Sequence, residues 1–229
     1  MATLRFSFGT MGSGKSTVAL QIHHNLSSRG LRGILCTHLD REGDQVTSRL
    51  GVAAPAVEVG PDLDLYDLAA RDVVEHGSLR YVVCDEVQFY TPTQIDQLTR
   101  VVDELDADVH AFGLLTDFRG RLFDGTARLL EVADERVELQ VEARCWCGAR
   151  ATHNARLVGG VQVYDGDQIV VGGVASIERS AGVEVTYELL CRRHWRAGDT
   201  GRATDGDQRA VSLDPSTRRT AEGTTGPRR

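Results

Sequence analysis

The sequence predicts an α/β fold in which a parallel sheet is flanked by helices, followed by a small β-rich module and a disordered C-terminal tail. Residues 9–16 match the pattern G-x-x-x-x-G-K-S/T of a phosphate-binding loop (P-loop) without a mismatch. Strand-like and helix-like segments alternate up to about residue 136, after which apolar residues recur in period two. We therefore expect a P-loop nucleotide-binding domain over residues 1–136, the β-rich module over 137–196 and the tail over 197–229.

The first predicted strand and helix enclose the phosphate-binding loop. Leu4, Phe6 and Phe8 alternate as in a strand, and the apolar residues from 18 to 26 fall on one helical face. Glycines let backbone N–H groups wrap a phosphate, the ammonium of Lys15 reaches the β and γ oxygens, and the Ser16 hydroxyl serves Mg²⁺. Lys15 is the only lysine in the chain. The candidate nucleotide-binding residues here are Gly9, Thr10, Met11, Gly12, Ser13, Gly14, Lys15 and Ser16.

Composition bounds the class of protein. The 229 residues are 41% apolar, which suits one large domain or one domain with a small module. No apolar run approaches the roughly 20 residues of a membrane span, and the odd count of five cysteines favours reduced thiols, so we expect a cytoplasmic location without membrane contact. The net charge is −7 although the tail is rich in arginine, and an acidic body argues against a nucleic-acid partner.

The second strand is predicted over residues 32–39 and ends in a charged cluster at residues 40–44. Polar groups at a strand end beside a phosphate-binding loop are where α/β proteins place ligand contacts, and a solvated surface loop is an equal alternative. A helix-like apolar stripe then runs from Leu65 to Val73 and is closed by Gly77.

An apolar strand beginning at Tyr81 ends in two adjacent carboxylates, Asp85 and Glu86. In a P-loop protein the acid at such a strand end holds Mg²⁺, and we assign this role to Asp85. Glu86 is then placed near the γ-phosphate, where it can take a proton from an attacking hydroxyl or water. Two ordinary solvated acids are the alternative, which the preceding loop makes less favourable.

The remaining elements of the first domain continue the alternation. Thr91 followed by Pro92 predicts the start of a helix, because a hydroxyl caps the first turn and proline fits its first position. A strand over residues 108–115, an aromatic and basic loop over 116–123 and a helix through Val132 follow.

The β-rich module carries four soft metal ligands. Cys145 and Cys147 form a Cys-x-Cys pair, and Cys191 and His194 form a Cys-x-x-His pair downstream. This layout predicts a closed structural zinc site, with His153 as a possible substitute ligand. The alternative is that the cysteines are buried as small apolar side chains.

Taken together, the stretches GTMGSGKS, DEVQF, LLTDFRGRLF, CWCG with CRRH, and VVGG followed by Tyr187 resemble the zinc-bearing thymidine kinases of the bacterial and cytosolic vertebrate type. The resemblance covers about residues 2 to 196. It implies an ATP:thymidine 5′-phosphotransferase that converts thymidine or deoxyuridine to its 5′-monophosphate in pyrimidine deoxynucleotide salvage for DNA synthesis. It also implies a homotetramer inhibited by the end product dTTP.

The resemblance assigns roles residue by residue. Glu86 matches the general base, Lys15 holds the donor phosphates, and Ser16 and Asp85 serve Mg²⁺. The donor site also includes Val87 and Gln88. The matched substrate-binding residues are Phe89, Leu114, Phe118 and Phe123 around the base, Arg156 near the phosphate site, and Val171 and Tyr187 in a lasso-like segment. The lasso stretch after Gly173 is longer than usual in the family, and Asp40 and Arg41 match family positions only approximately.

Two other functions are compatible with parts of the sequence. A P-loop ATPase with a zinc-ribbon interaction module would use Glu86 to activate water, but its basic partner surface is not evident in this acidic body. A nucleotide-binding module without catalysis would leave Glu86 beside Asp85 without a purpose.

Overall fold

The computed structural model describes residues 1–38, 45–47, 53–139, 142–168 and 184–201. Expectations for Asp40, Arg41 and Val171, for most of the lasso segment and for the tail from residue 202 lie outside these residues. In chain order the described strands are β1 (Leu4–Gly9), β2 (Gly33–Thr37), β3 (Gln45–Thr47), β4 (Ala53–Pro55), β5 (Val57–Glu58), β6 (Tyr81–Cys84), β7 (Asp108–Leu114), β8 (Glu135–Glu138), β9 (His153–Val158), β10 (Val161–Val163) and β11 (Val185–Leu190). The helices are α1 (Lys15–Ser27), α2 (Leu65–His76), α3 (Pro92–Leu105), α4 (Asp124–Val132) and α5 (Arg192–Ala197).

The main sheet has six strands in the order β5-β2-β6-β7-β1-β8, and every neighbouring pair in it is parallel. Buried apolar residues cover both faces. Phe6 and Cys84 pack with Ile95 and Leu98 of α3 on one face, and α1 covers Tyr81 on the other. The prediction of a parallel sheet flanked by helices is therefore confirmed.

Helix boundaries follow from local chemistry. Thr91 and Gln94 form a reciprocal capping box at the start of α3, with Pro92 in the first turn. The Asp64 carboxylate accepts the Asp67 amide at the start of α2, and Gly77 ends that helix with a φ of 83°. The sequence predicted the start of α3 from Thr91 and Pro92 and the end of α2 from Gly77, whereas the Asp64 cap and the Gln94 half of the capping box were not predicted. None of the helices in the described ranges is long and apolar enough to cross a membrane.

Two boundaries differ from the expectation. Strand β8 pairs with β1 in the main sheet, so Val137 and Glu138 continue that sheet past residue 136. Residues 197–201, expected in the tail, pack on the small module: the Trp146 indole N–H donates to the Asp199 carbonyl at 3.0 Å, and Gly201 lies against the Trp146 ring. The small module itself is an antiparallel sheet in the order β10-β9-β11, followed by α5.

The partly buried His110 on β7 leads us to expect that the folded state loses stability in mild acid. Burial lowers its pKa below the ordinary value of 6.5, and nearby Arg5 adds to the lowering, although Asp108 and Glu135 oppose it. As the pH falls, the His110 imidazole takes up its proton in the unfolded chain before it does so in the folded chain. The folded state is therefore fully stable with respect to His110 above pH 6.5, and it loses stability as the pH falls from that value toward the folded pKa.

We expect His110→Gln to flatten this dependence. Urea unfolding between about pH 7.5 and about pH 5.5 gives the free energy of unfolding of the parent and of the variant. The difference between the two proteins isolates His110, because groups that are unchanged contribute equally to both. The same substitution at exposed His24 serves as control. Identical pH slopes for the parent and His110→Gln would contradict the prediction.

Candidate active site

The phosphate-binding loop joins β1 to α1. Gly12 and Gly14 have φ values of 72° and 80°, in the left-handed region that glycine adopts without strain. The Ser13 amide donates to the Thr10 carbonyl at 3.2 Å, and the Lys15 ammonium donates to the same carbonyl at 2.9 Å. Lys15 is only 6% exposed. The loop thus combines a helix N-terminus with a nearly buried ammonium, which is the chemistry of a phosphate site.

The acid pair lies at the same edge of the sheet as this loop. Strands β6 and β1 flank β7 in parallel, so Asp85 after β6 and the loop after β1 follow carboxyl ends that point the same way. The Glu86 amide donates to Asp85 Oδ1 at 3.0 Å. The Ser16 hydroxyl and the Lys15 ammonium lie close enough to the Asp85 carboxylate to lower its pKa. The loop and the acid pair, which the sequence predicted separately, therefore lie next to each other at one edge of the sheet.

Asp85 and the adjacent Glu86 bring two carboxylates together, an arrangement that a bound cation would stabilise. Burial and the adjacent Glu86 raise the pKa of Asp85 to about 7, while the Ser16 hydroxyl and the Lys15 ammonium act in the opposite direction. A divalent cation at this carboxylate would favour its ionised form. The buried carboxylate and the Ser16 hydroxyl are oxygen donors of the kind that Mg²⁺ accepts.

Gln88 fixes the position of Glu86. Glu86 has a φ of 55° at the start of a 3-10 turn, Val87–Phe89, and its carboxylate accepts a short hydrogen bond from Gln88 Nε2. The other end of the Gln88 amide accepts the Leu114 backbone N–H at 3.0 Å. A Cβ on Gly113 would lie 2.8 Å from Gln88 Oε1 and 2.9 Å from Val87 Cγ2. Gln88 therefore needs glycine at position 113 to reach the Leu114 backbone.

Aromatic side chains follow the acid pair along the chain, beginning with Phe89. The Phe89 and Phe123 rings meet edge to face with centroids 5.6 Å apart, and His38 lies against the other side of Phe89. Phe118 and Phe123 are almost fully buried, as is Leu114. The Asp117 carboxylate holds the loop that carries Phe118 by accepting the backbone N–H groups of residues 119 and 121. The Phe89–Phe123 pair is therefore an aromatic contact that begins three residues along the chain from Glu86.

Arg156 connects the Phe118 ring to both ends of the lasso segment. Its guanidinium lies 3.7 Å from the centroid of the Phe118 ring and donates to the Tyr187 hydroxyl at 2.9 Å. It also donates to the carbonyls of Asp167 and Gln168, at 2.7 and 3.3 Å. Arg156 is only 4% exposed. The Arg156 guanidinium therefore contacts residues at both ends of the lasso segment as well as the Phe118 ring.

The four predicted metal ligands converge. The ligand atoms of Cys145, Cys147, Cys191 and His194 all lie within 4.8 Å of one another, and Cys145 Sγ is 3.3 Å from His194 Nδ1. Three thiols and one imidazole at such distances fit a tetrahedral zinc ion. His153, the possible substitute, is not in this cluster and stacks on Trp195. The Trp146 ring stacks on His194 with centroids 4.4 Å apart.

Sequence reasoning missed Asn154. Its side-chain oxygen accepts the backbone N–H of Met11 in the phosphate-binding loop at 2.9 Å, and the residue is 4% exposed. It lies on β9 in the small sheet, 143 positions along the chain from Met11. A single asparagine in a strand carries no motif, so the sequence offered no signal for this contact.

Comparison with known proteins agrees with this geometry. A family model described as thymidine kinase matches residues 2–195. The chain is 54% identical over 216 residues to the thymidine kinase of Streptomyces coelicolor, covering 94% of this chain and 96% of the relative. It is 51% identical to that of Streptomyces avermitilis with the same coverage, and 50% identical to that of Cutibacterium acnes, covering 91% of this chain and 96% of the relative. These matches do not favour the ATPase alternative. The chain therefore belongs to the thymidine kinase family of enzymes.

Proposed function

We propose that this protein transfers the γ-phosphate of ATP to the 5′-hydroxyl of thymidine or deoxyuridine, and that it serves deoxynucleotide salvage. The observation that carries the proposal is the proximity of the phosphate-binding loop to the acid pair, which the aromatic side chain of Phe89 follows closely along the chain. Membership of the thymidine kinase family supports the choice of nucleoside.

The donor half of the reaction is assigned to the loop. Its backbone N–H groups and Lys15 hold the β and γ phosphates, which offsets charge that spreads over the transferred group in a loose transition state. Ser16 and Asp85 would hold Mg²⁺, which supplies further positive charge between the phosphates when bound. Val87 and Gln88 are kept on the donor side on the resemblance alone, since Val87 is buried in the core and the Gln88 amide contacts Glu86 and the Leu114 backbone.

Glu86 is the proposed general base. The short bond from Gln88 Nε2 fixes the carboxylate, and the αL backbone at Glu86 turns the chain sharply after Asp85. A carboxylate held in this way accepts the proton of the 5′-hydroxyl as its oxygen attacks the γ-phosphorus. The bond from oxygen to the γ-phosphorus forms while the bond to the leaving ADP oxygen breaks.

The acceptor half is assigned to the aromatic residues. A neutral pyrimidine needs flat apolar walls with a few hydrogen bonds, and Phe89, Leu114, Phe118 and Phe123 supply such walls. The resemblance associates Arg156 with the phosphate site. Its present contacts support a different proposal, that it holds the two ends of the lasso segment around the nucleoside while stacking on Phe118. We keep Val171 and Tyr187 as substrate contacts on the resemblance.

The broader properties also follow from the family resemblance. We propose a cytoplasmic homotetramer with one structural zinc ion per chain and inhibition by dTTP. We divide the chain into a P-loop domain and a zinc-bearing module, with the junction moved beyond β8 because that strand pairs with β1.

One assay tests the function. Radiolabelled thymidine, deoxyuridine, deoxycytidine and deoxyguanosine are offered in parallel with ATP and Mg²⁺. We expect rapid 5′-phosphorylation of thymidine, slower phosphorylation of deoxyuridine and little of the other two. ATP hydrolysis that is independent of all four nucleosides would contradict the proposal and favour the ATPase.

A further inference from the structure

Strand β9 of the small sheet contacts both the phosphate-binding loop and the aromatic side chain of Phe118. Residues two apart on a strand lie on the same face, so Asn154 and Arg156 project from β9 in the same direction. Asn154 meets the phosphate-binding loop at Met11, and Arg156 meets Phe118 and Tyr187. One face of a strand in the zinc-bearing module thus reaches the donor side through one residue and the acceptor side through the other.

The contact of Asn154 constrains the loop at Met11. Met11 lies inside the turn that the Ser13 N–H closes on the Thr10 carbonyl, and the residues from Lys15 onward are held by α1. The Met11 N–H donates to Asn154 Oδ1, and both Asn154 and the nearby Ser13 are almost completely buried. A buried N–H without an acceptor is unfavourable, so the loop keeps the backbone direction at Met11 that satisfies this bond.

We propose that Asn154 is a positioning residue for the donor nucleotide: from the zinc-bearing module, it holds the first half of the phosphate-binding loop in the conformation that receives the triphosphate. The inference rests on the proposed function, because it assigns Asn154 to the donor side of that reaction. A neutral amide suits the task, since it accepts the Met11 N–H without placing negative charge beside the phosphates.

Three substitutions at Asn154 separate the loss of the hydrogen-bond acceptor from the addition of charge. Asn154→Ala removes the acceptor and frees the loop, so the Kd for nucleotide is expected to rise about 10-fold, equivalent to about 1.4 kcal/mol. Asn154→Asp retains an acceptor but adds a negative charge near a polyanion, so we expect an equal or larger rise that diminishes with added salt. Asn154→Ser retains a short neutral acceptor and should recover part of the affinity.

The matched control lies two residues away. Arg156→Gln, on the same face of β9, should raise the KM for thymidine while leaving the Kd for nucleotide within about twofold. The three Asn154 variants should show the reverse pattern, with KM for MgATP raised and KM for thymidine within about twofold of the parent. This opposite pair of effects is what a merely structural role for β9 would not produce.

The experiment measures ADP and a non-hydrolysable ATP analogue binding by calorimetry, together with both KM values and a thermal melt, on the full chain. Unchanged nucleotide affinity in folded Asn154→Ala and Asn154→Asp overturns the inference, as does a lowered melting temperature without a change in affinity. Failure of all three variants to fold also overturns it, because Asn154 would then be a structural residue. If the parent binds nucleotide but phosphorylates no nucleoside, the proposed function fails while the binding data still decide the role of Asn154.

Discussion

Replacing Glu86 with Gln is expected to slow thymidine phosphorylation by at least roughly 100-fold, the scale of a lost general base. The amide has almost the shape of the carboxylate, and its carbonyl oxygen can still accept the bond from Gln88 Nε2. It cannot accept the proton of the attacking hydroxyl. Nucleotide affinity should change little, because the loop and Lys15 are untouched.

Single-turnover kinetics with saturating thymidine and MgATP measure this loss at the chemical step. Glu131→Gln is the matched control, since Glu131 is an exposed acid of α4 that pairs with Arg128 and lies in the same domain. The control should retain the parent rate. A parent-like rate in Glu86→Gln would remove Glu86 from the mechanism.

Loss of the metal ligands is expected to have the largest effect on stability. Structural zinc sites bind with about 10–16 kcal/mol of apparent free energy at neutral pH, and that energy is available to folding. Beyond the four ligands, the small core here has Ala155, Leu157 and Leu190 as its buried apolar residues, with Trp195 packed against them. Cys145→Ser should therefore lower the melting temperature strongly and abolish stoichiometric zinc binding.

Metal analysis of the purified parent should give about one zinc per chain, as one closed four-ligand site requires. His153→Gln is the control, because His153 stacks on Trp195 outside the cluster and should leave the zinc content unchanged. Well-folded parent protein without metal, or loss of zinc from the His153 variant alone, would contradict this ligand set.

The sequence predicted those parts of the site whose chemistry is local. Gly12, Gly14 and Lys15 lie within one loop, and Asp85 and Glu86 are adjacent at the end of one apolar strand, so a short pattern suffices to find them. The meeting of loop and acid pair also followed, because parallel strands bring their carboxyl ends to one edge. The four side chains that converge in the small module, three cysteines and one histidine, were predicted from their paired spacing.

Other features depend on contacts between distant residues and had no sequence signal. The Gln88 side chain bridges Glu86 and Leu114, and Asn154 reaches Met11 from another sheet. The pairing of β8 beyond residue 136 had no sequence signal for a related reason. Alternation at Val137 is common to an antiparallel module and to the edge strand of a parallel sheet, and only pairing with β1 distinguishes them.

The crowding at Gly113 has a consequence for altering this enzyme's choice of nucleoside. Enlarging the proposed base site by substitution would begin with residues on β7 and its following loop, where Leu114 and Phe118 lie. Even one methyl group at position 113 would push against the amide that steadies the proton acceptor. Libraries that randomise this end of the strand should therefore hold position 113 as glycine.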